Sequence, residues 1–481
     1  MQPSMFNVRV PLADQRDGGD VFLMNTFTDA QLIVSRDVVD LLDRLAPAAA
    51  PTDPAVLTDE EHRTIEALAE HGFVVADRRT EDAELRAFFR DVREGTDSLN
   101  VTVLTTLQCN FACDYCIQGD HGDYNKQAAK MSLETAARVA AWIERRTDAI
   151  APRRLVLTFF GGEPLLNMPV LYYLAERLHA ACTDRGVEML VNVITNGLLL
   201  SREMVERLNP LGLNGIKITL DGDREAHNRS RPLRGGQGTF DRIVANVREV
   251  AGLTRIAVGG NFDVDTADSY PALLDFLAAQ DFAPRLSRVS FKPVIREKTV
   301  IGKGVIPLTA VGAEGKPLNG ACMTSAGTGV SRVCDSCNFV DEKMAFLRDE
   351  TKKRGFKTAD GVHMGPCEIH REHAHTIGPD GSLFACPGFA GEARQSTGHI
   401  DGRQDDYRTQ ALRNFARLSA WEQCHDCAFI PVCAGGCTVA AHNELGDMHA
   451  PNCHKTSFEA GVVALAREAA EQQLAACGGR H

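Results

Sequence analysis

The stretch LQCNFACDYCIQGD, residues 107–120, places Cys109, Cys113 and Cys116 in a C-x3-C-x2-C spacing. It follows directly on LNVTVLT, residues 99–105, whose alternating apolar and polar residues predict a strand. Three thiolates this close together, in a loop at a strand end, suit three irons of a cubane iron–sulfur cluster and leave the fourth iron without a protein ligand. Soft thiolates also select zinc, but a zinc site wants a fourth nearby ligand. The local alternatives for that ligand are Asp114, Asp120 and His121.

From residue 97 onward, strand and helix patterns alternate. Strands are predicted over 99–106, 154–160, 189–194, 214–220, 255–262 and 288–294, and helices near 132–149, 168–184, 201–208, 239–252 and 269–279. Such alternation implies an α/β fold with a parallel sheet and outer helices. Six repeats would make a partial (β/α)6, TIM-like barrel, open enough to admit a large substrate. In barrels of this kind chemistry gathers at the C-terminal ends of the strands, and polar motifs of this chain fall there. After the second strand comes Gly161-Gly162-Glu163-Pro164. Glycines let the backbone approach a ligand closely, and Glu163 can accept hydrogen bonds from an ammonium group. The third strand ends in ITNG, residues 194–197, and the fourth in ITLDG, residues 218–222, followed by HNRSR, residues 227–231. Taken alone, these are ordinary turn and capping chemistry, with Asp221-Gly222 a simple turn.

Ahead of the barrel, residues 5–78 read as a small α+β unit. Residues 6–10, 21–24 and 31–34 predict short strands, and Val38, Val39, Leu41, Leu42 and Leu45 mark an amphipathic helix. The Pro/Ala-rich run 46–54 is a connection; the capping box Thr58-Asp59-Glu60-Glu61 opens a second helix that Gly72 closes before a strand at 73–76. Residues 84–93 predict a connecting helix with Leu85, Phe88, Phe89 and Val92 on one face. Between about 296 and 366 the pattern loosens into a Gly- and Thr-rich insertion that carries Cys322 and the pair Cys334 and Cys337. A lone C-x2-C suits a metal pair or two free thiols. Residues 455–476 predict a closing helix with Phe458, Val462 and Leu465 as a packing stripe.

The 481 residues suffice for several domains, and 44% apolar with 24% charged residues is ordinary for a globular chain. A net charge of -12 argues against non-specific nucleic-acid binding. No apolar run reaches membrane-spanning length, and the first residues lack an apolar signal core, so a cytoplasmic location is expected. Fifteen cysteines in a reducing compartment point to metal or redox chemistry rather than disulfides. Cys182 and Cys477 read as incidental thiols.

Seven of the cysteines form a C-terminal array. Cys367, Gly381 and Cys386 stand in a C-x13-G-x4-C spacing, with a β-hairpin predicted around the turn at 379–382. Cys424, Cys427, Cys433 and Cys437 follow as C-x2-C-x5-C-x3-C, and Cys453 comes after fifteen intervening residues. Four cysteines at such spacings suit zinc as well as iron–sulfur.

The cysteine loop with Tyr115 ahead of its last thiol, and the motif Gly161 to Pro164 behind the next strand, resemble the signature of the radical S-adenosylmethionine (SAM) enzymes. The array resembles the SPASM extension found on members of that family, so the likeness spans residues 97 to about 455. The resemblance implies three [4Fe–4S] clusters and SAM. Cys109, Cys113 and Cys116 would hold the SAM-binding cluster, and Tyr115, Gly161, Gly162, Glu163, Asn196, Thr219 and Arg231 would bind the cofactor. Within that set Glu163 would take the amino group, Thr219 the ribose and Arg231 the carboxylate. Cys367, Cys386 and Cys437 would bind a first auxiliary cluster, and Cys424, Cys427, Cys433 and Cys453 a second. The first lacks an evident fourth ligand. Cys322, Cys334, Cys337, His370 or His373 could supply it, or a substrate thiolate could take the open iron.

The N-terminal unit is similar to the PqqD-like, winged-helix leader-recognition domain of peptide maturases, where a leader peptide adds a strand to a sheet edge. The expected division is a recognition domain over 1–80, a linker helix over 81–96, the barrel over 97–295, the insertion over 296–366, the SPASM domain over 367–455 and a closing helix and tail over 456–481. The function this implies is a peptide or protein maturase that cleaves SAM to a 5′-deoxyadenosyl radical, abstracts a hydrogen and forms a thioether crosslink. Its partners would be a precursor peptide or small protein subunit and an electron donor such as flavodoxin or ferredoxin, with neither nucleic acid nor membrane. Formylglycine maturation of sulfatases, carbon–carbon crosslinking and decarboxylation are alternatives. Pro387 stands where formylglycine maturases usually carry an aspartate. The non-enzyme alternative is a zinc-stabilised binding protein.

Overall fold

The computed structural model describes residues 1–12, 19–46, 57–113, 115–116, 129–263, 265–294, 335–359, 361–363 and 365–478. The N-terminal unit contains β1 (Gln2–Pro3), β2 (Asn7–Pro11), β3 (Val21–Asn25), β4 (Gln31–Val34), α1 (Arg36–Arg44), α2 (Asp59–Glu70) and β5 (Val74–Val75). β2, β3 and β4 form an antiparallel sheet, and β1 pairs with β5. Thr58 and Glu61 close the capping box that starts α2. The linker helix α3 (Arg78–Glu94) is longer than its apolar stripe predicts, because Asp77 caps it by accepting from Thr80 N at 2.9 Å.

Six parallel strands follow: β6 (Ser98–Leu104), β7 (Arg154–Phe160), β8 (Glu188–Thr195), β9 (Leu213–Thr219), β10 (Ile256–Phe262) and β11 (Leu286–Pro293). The helices between and after them are α4 (Leu133–Ile150), α5 (Met168–Asp184), α6 (Arg202–Leu208), α7 (Arg224–Ser230), α8 (Phe240–Val250), α9 (Tyr270–Ala278) and α10 (Asp335–Lys353). Alternation with period two decides which side chains meet these helices. Leu155, Leu157 and Phe159 on β7, Val191 and Val193 on β8, and Ile216 and Ile218 on β9 are buried in the main core. Each such burial contributes about 1.5–3 kcal/mol. The residues between them face the inside of the curved sheet.

Two features depart from expectation. The region 296–366 is not a uniform loosened insertion: α10 lies within it and packs against α9 and β11, with Leu347 buried. Cys322 and Cys334 lie outside the described residues, and Cys337 falls on α10. The second departure is the hairpin β12 (Ala374–Ile377) and β13 (Ser382–Phe384), which joins the barrel sheet. β12 runs parallel to β6, with Thr376 opposite Thr102, and β14 (Gly398–His399) extends the edge to give nine strands in one sheet. The chain ends with α11 (Asp406–Ala416), the short turns α12 (Ile430–Cys433) and α13 (Thr438–Ala440), and α14 (Lys455–Gly478). No helix among the described residues is long and apolar enough to cross a membrane.

Candidate functional site

The loop after β6 is clamped by backbone bonds to the segment after α7. Ala112 N donates to Pro232 O at 2.9 Å and Arg234 N to Asn110 O at 3.2 Å. Cys113 is buried; Cys109 and Cys116 are half-buried. Phe111 N donates to Cys109 Sγ at 3.4 Å. Burial pushes the Cys109 thiol up to about 12, and Glu163, Cys113 and Cys116 add to the repulsion. A thiol in such a place ionises when a cation binds it, as coordinating thiols do. Asp114, Asp120 and His121 lie outside the described residues.

Gly161 and Gly162 bring the β7 end against this loop. A side chain at Gly162 would put its Cβ 2.2 Å from Gln108 O, and one at Gly161 would meet Thr106 O at 2.3 Å, with Gly161 also at φ 136°. Glu163 N then donates to Gln108 O at 2.8 Å. Its side chain is fully buried. The carboxylate accepts from Leu165 N at 3.0 Å, Thr195 Oγ1 at 2.7 Å and Asn196 N at 2.8 Å. Burial pushes this carboxyl up and the three donors pull it back. Asn196 Nδ2 reaches Asn110 Oδ1 at 2.7 Å and Cys109 Sγ at 3.9 Å, so the cysteine loop, Glu163 and the β8 end form one polar cluster.

A second cluster surrounds Asp221, the residue its sequence context reads as part of a simple turn. It is fully buried. Tyr115 donates its phenol to Asp221 Oδ2, Arg231 Nη1 lies 3.4 Å from the same oxygen, and Asn261 N donates to Oδ1 at 2.7 Å. Arg231 also donates to the Tyr115 oxygen, and its Nε is buried without a partner. Asp221 N donates to His227 Nδ1 at 3.1 Å, which leaves Nε2–H for Thr239 Oγ1 at 3.1 Å. Thr239 in turn holds Arg231 O at 2.9 Å. Burial keeps His227 neutral, well below its ordinary pKa. Thr219 lies on the inner face of β9, level with Gly259 of β10, at the strand end between these clusters.

The C-terminal cysteines form two groups. Cys386 feels Cys367 and Cys437; burial, the larger effect, pushes its thiol up to about 12. Cys433 feels Cys424, Cys453 and Cys427, and burial again brings it to about 12. Gly435 and Gly436 position the segment that leads to Cys453: Asn452 N donates to Gly435 O at 2.8 Å, and a Cβ at Gly436 would lie 1.9 Å from Asn452 O. Among the described residues, no three Cys, His or carboxylate groups converge tightly enough for a single metal ion. His370 is buried with Nε2 unpartnered, whereas His373 Nδ1 meets Arg146 at 3.3 Å.

Residues 103–262 match the model of the Radical SAM superfamily, so the chain carries a radical SAM domain. GTP 3′,8-cyclase of Synechococcus sp. (strain CC9605) is 35% identical over 149 residues, 30% of this chain and 40% of that protein. Fe-coproporphyrin III synthase of Methanosarcina barkeri (strain Fusaro / DSM 804) is 26% identical over 183 residues, 38% of this chain and 41% of that protein. The chain thus spans about 40% of the length of these curated relatives. Among solved structures, native anSMEcpe with bound AdoMet superposes with a TM-score of 0.54 at 14% identity, covering 79% of this chain and all of that one. The same protein with AdoMet and the Cp18Cys peptide gives 0.54 over 77% of this chain and 97% of that one, again at 14% identity. The likeness to anSMEcpe is one of fold.

Proposed function

We propose that this chain is a radical SAM maturase that modifies a ribosomally made peptide or small protein subunit, forming a thioether crosslink. The observation that carries the reading is the meeting of Cys109, Glu163 and Asn196 at the C-terminal strand ends of an open parallel sheet. The donor set fits the group: three thiols on one clamped loop, with Glu163 able to accept an ammonium beside them. Bound there, a [4Fe–4S] cluster and SAM supply the one-electron chemistry that removes a hydrogen atom from carbon. The chain's own residues bind and orient. Glu163 would take the amino group, Thr219 the ribose, and Arg231, held by Asp221 and Tyr115, the carboxylate.

The two C-terminal cysteine groups are assigned to auxiliary [4Fe–4S] clusters, as a SPASM domain over 367–455 would carry. What favours iron–sulfur over zinc is their company: two cysteine groups behind a parallel sheet whose strand ends already carry the Cys109 loop and Glu163. The unpartnered Nε2 makes His370 the better candidate of the two histidines for the fourth ligand of the Cys367 group. A peptide substrate is supported by the bound peptide of anSMEcpe and by β4, which has one strand partner among the described residues and so offers an edge for an added strand. In this reading residues 1–80 recognise a leader, and an acidic one-electron protein such as flavodoxin or ferredoxin supplies electrons.

The test is anaerobic reconstitution followed by iron and sulfide analysis and a search for 5′-deoxyadenosine. Replacing Cys109, Cys113 and Cys116 together with alanine should leave about eight irons, from two auxiliary clusters, and abolish SAM cleavage. Continued 5′-deoxyadenosine production by that variant would overturn the assignment.

A further inference from the structure

Three cations line the inner face of the barrel sheet with no acidic partner among the described residues. Lys217 on β9 alternates with Ile216 and Ile218, which are in the core against the helices, so it points inward. Arg288 and Lys292 on β11 alternate with buried Val289 and point the same way. Register sets their heights: Lys217 and Arg288 both pair with Ala257, and Lys292 pairs with Asn261. Asn261 is the residue that touches Asp221 and Tyr115. The cations therefore climb the inner wall from two residues below Thr219 to the level of the Asp221 cluster.

The wall is built to hold them. Gly259 lies between β9 and β11, and a Cβ there would meet Lys217 Cε at 2.8 Å, so the lysine crosses a strand that lacks a side chain at that point. Desolvation, with Lys292 and Arg288 nearby, brings Lys217 down to about 8. Among the described residues none of the three cations makes a salt bridge or side-chain hydrogen bond. All three side chains are open to solvent on that wall, so an incoming anion can reach them, and their mutual repulsion favours an anion placed between them.

We propose that Lys217, Arg288 and Lys292 bind a carboxylate of the substrate, and so select a peptide that carries an acidic group at the segment entering the barrel. This deepens the peptide reading and rests on it. The carboxylate could belong to an Asp or Glu side chain or to the peptide's C-terminus, which offer the same chemistry.

The test uses reconstituted full-length holoenzyme with SAM and three fluorescein-labelled peptides: Gly-Ser-Glu-Glu-Ser-Gly amide, its Gln-Gln amide counterpart, and the Gln-Gln peptide with a free C-terminus. A carboxylate-bearing peptide should bind roughly tenfold or more tightly than the neutral amide, as charge-assisted contacts from three cations together give. Preference for the Glu peptide identifies a side-chain carboxylate, and preference for the free acid a C-terminal one. Lys217→Gln with Lys292→Gln should abolish the preference, while Lys217→Arg should keep it. Equal binding, or absent binding, of all three peptides to wild-type enzyme overturns the inference without needing any variant. Failure of the radical SAM reading itself would show separately, as wild-type enzyme that holds no iron or cleaves no SAM.

Discussion

A buried imidazole costs stability when the solution turns acid, and His375 is placed to show it. It packs edge-on against Trp142 with ring centroids 5.1 Å apart, and its Nε2 is buried without a partner. Burial, with Arg146 and His373 adding positive charge, lowers its pKa to about 3. The unfolded chain binds a proton here below about 6.5, and the folded chain refuses it until about 3. Stability from this site is therefore complete above pH 6.5 and is lost as pH falls through that window. The thermal midpoint should fall steadily between pH 7 and 4.5, and His375→Phe, which keeps an aromatic ring against Trp142, should make that fall shallower. Circular dichroism melts across the range check this; an unchanged slope in the variant would mean that other groups govern acid sensitivity. Asp221 carries the opposite lesson at this scale. Its position before a glycine reads as a turn, yet its carboxylate holds Tyr115, Arg231 and Asn261 together. Only the nearby HNRSR segment hinted at a partner for it, because burial is a property of the folded neighbourhood.

At the level of elements, the join between β6 and β7 decides whether the cysteine loop is presented correctly. Gly162→Ala would force its Cβ to within 2.2 Å of Gln108 O and 2.6 Å of Leu107 O, which are backbone atoms that cannot rotate away. Such overpacking costs about 1–3 kcal/mol. The strain falls one residue before Cys109, so the variant should lose iron at the first cluster several-fold while its melting point drops modestly. Iron per chain against the wild type measures this, and full loading would show that the loop can give. The strands and helices of the barrel were legible because apolar residues alternate on Leu155, Leu157 and Phe159 and repeat at helical spacing on Val139, Ala140 and Ile143. What escaped was non-local. Pairing of β12 with β6 joins residues far apart in sequence, and no periodicity encodes which edge a hairpin will choose. α10 was hidden by the Gly- and Thr-rich residues before it, although Met344, Leu347 and Thr351 have the helical spacing that could have revealed it.

At the scale of the molecule, the N-terminal unit rests on the C-terminal cysteine region. Phe22 and Met24 of β3 pack with Phe429, Val462 and Ala466, and Cys427 and Cys433 border that cluster. A run of rings continues from Phe6 through Phe27, Phe88 and Phe89 to Trp421, with centroids 5.3, 5.6, 5.3 and 4.4 Å apart. Thr26 donates to Ala428 O, and Arg86 meets Glu422 at 2.7 Å. A leader-recognition role alone would predict that removing this unit abolishes precursor binding and leaves the rest untouched. The packing predicts more. Deleting residues 1–76, just ahead of the Asp77 cap of α3, should uncover Phe429, Phe458 and Val462 and open the wall beside Cys424, Cys427 and Cys433. The truncated protein should then lose about four irons, one cluster's worth, and become oxygen-sensitive at that site. SAM cleavage should survive, because the Cys109 loop is clamped by Pro232 and Arg234 of the barrel rather than by the N-terminal unit. Iron content, the visible spectrum under air and 5′-deoxyadenosine yield separate the two effects. A truncated protein with full iron and ordinary air stability would reduce the unit to a peptide-binding appendage; one that loses SAM cleavage as well would mean that the C-terminal region braces the barrel more than the hairpin pairing to β6 implies.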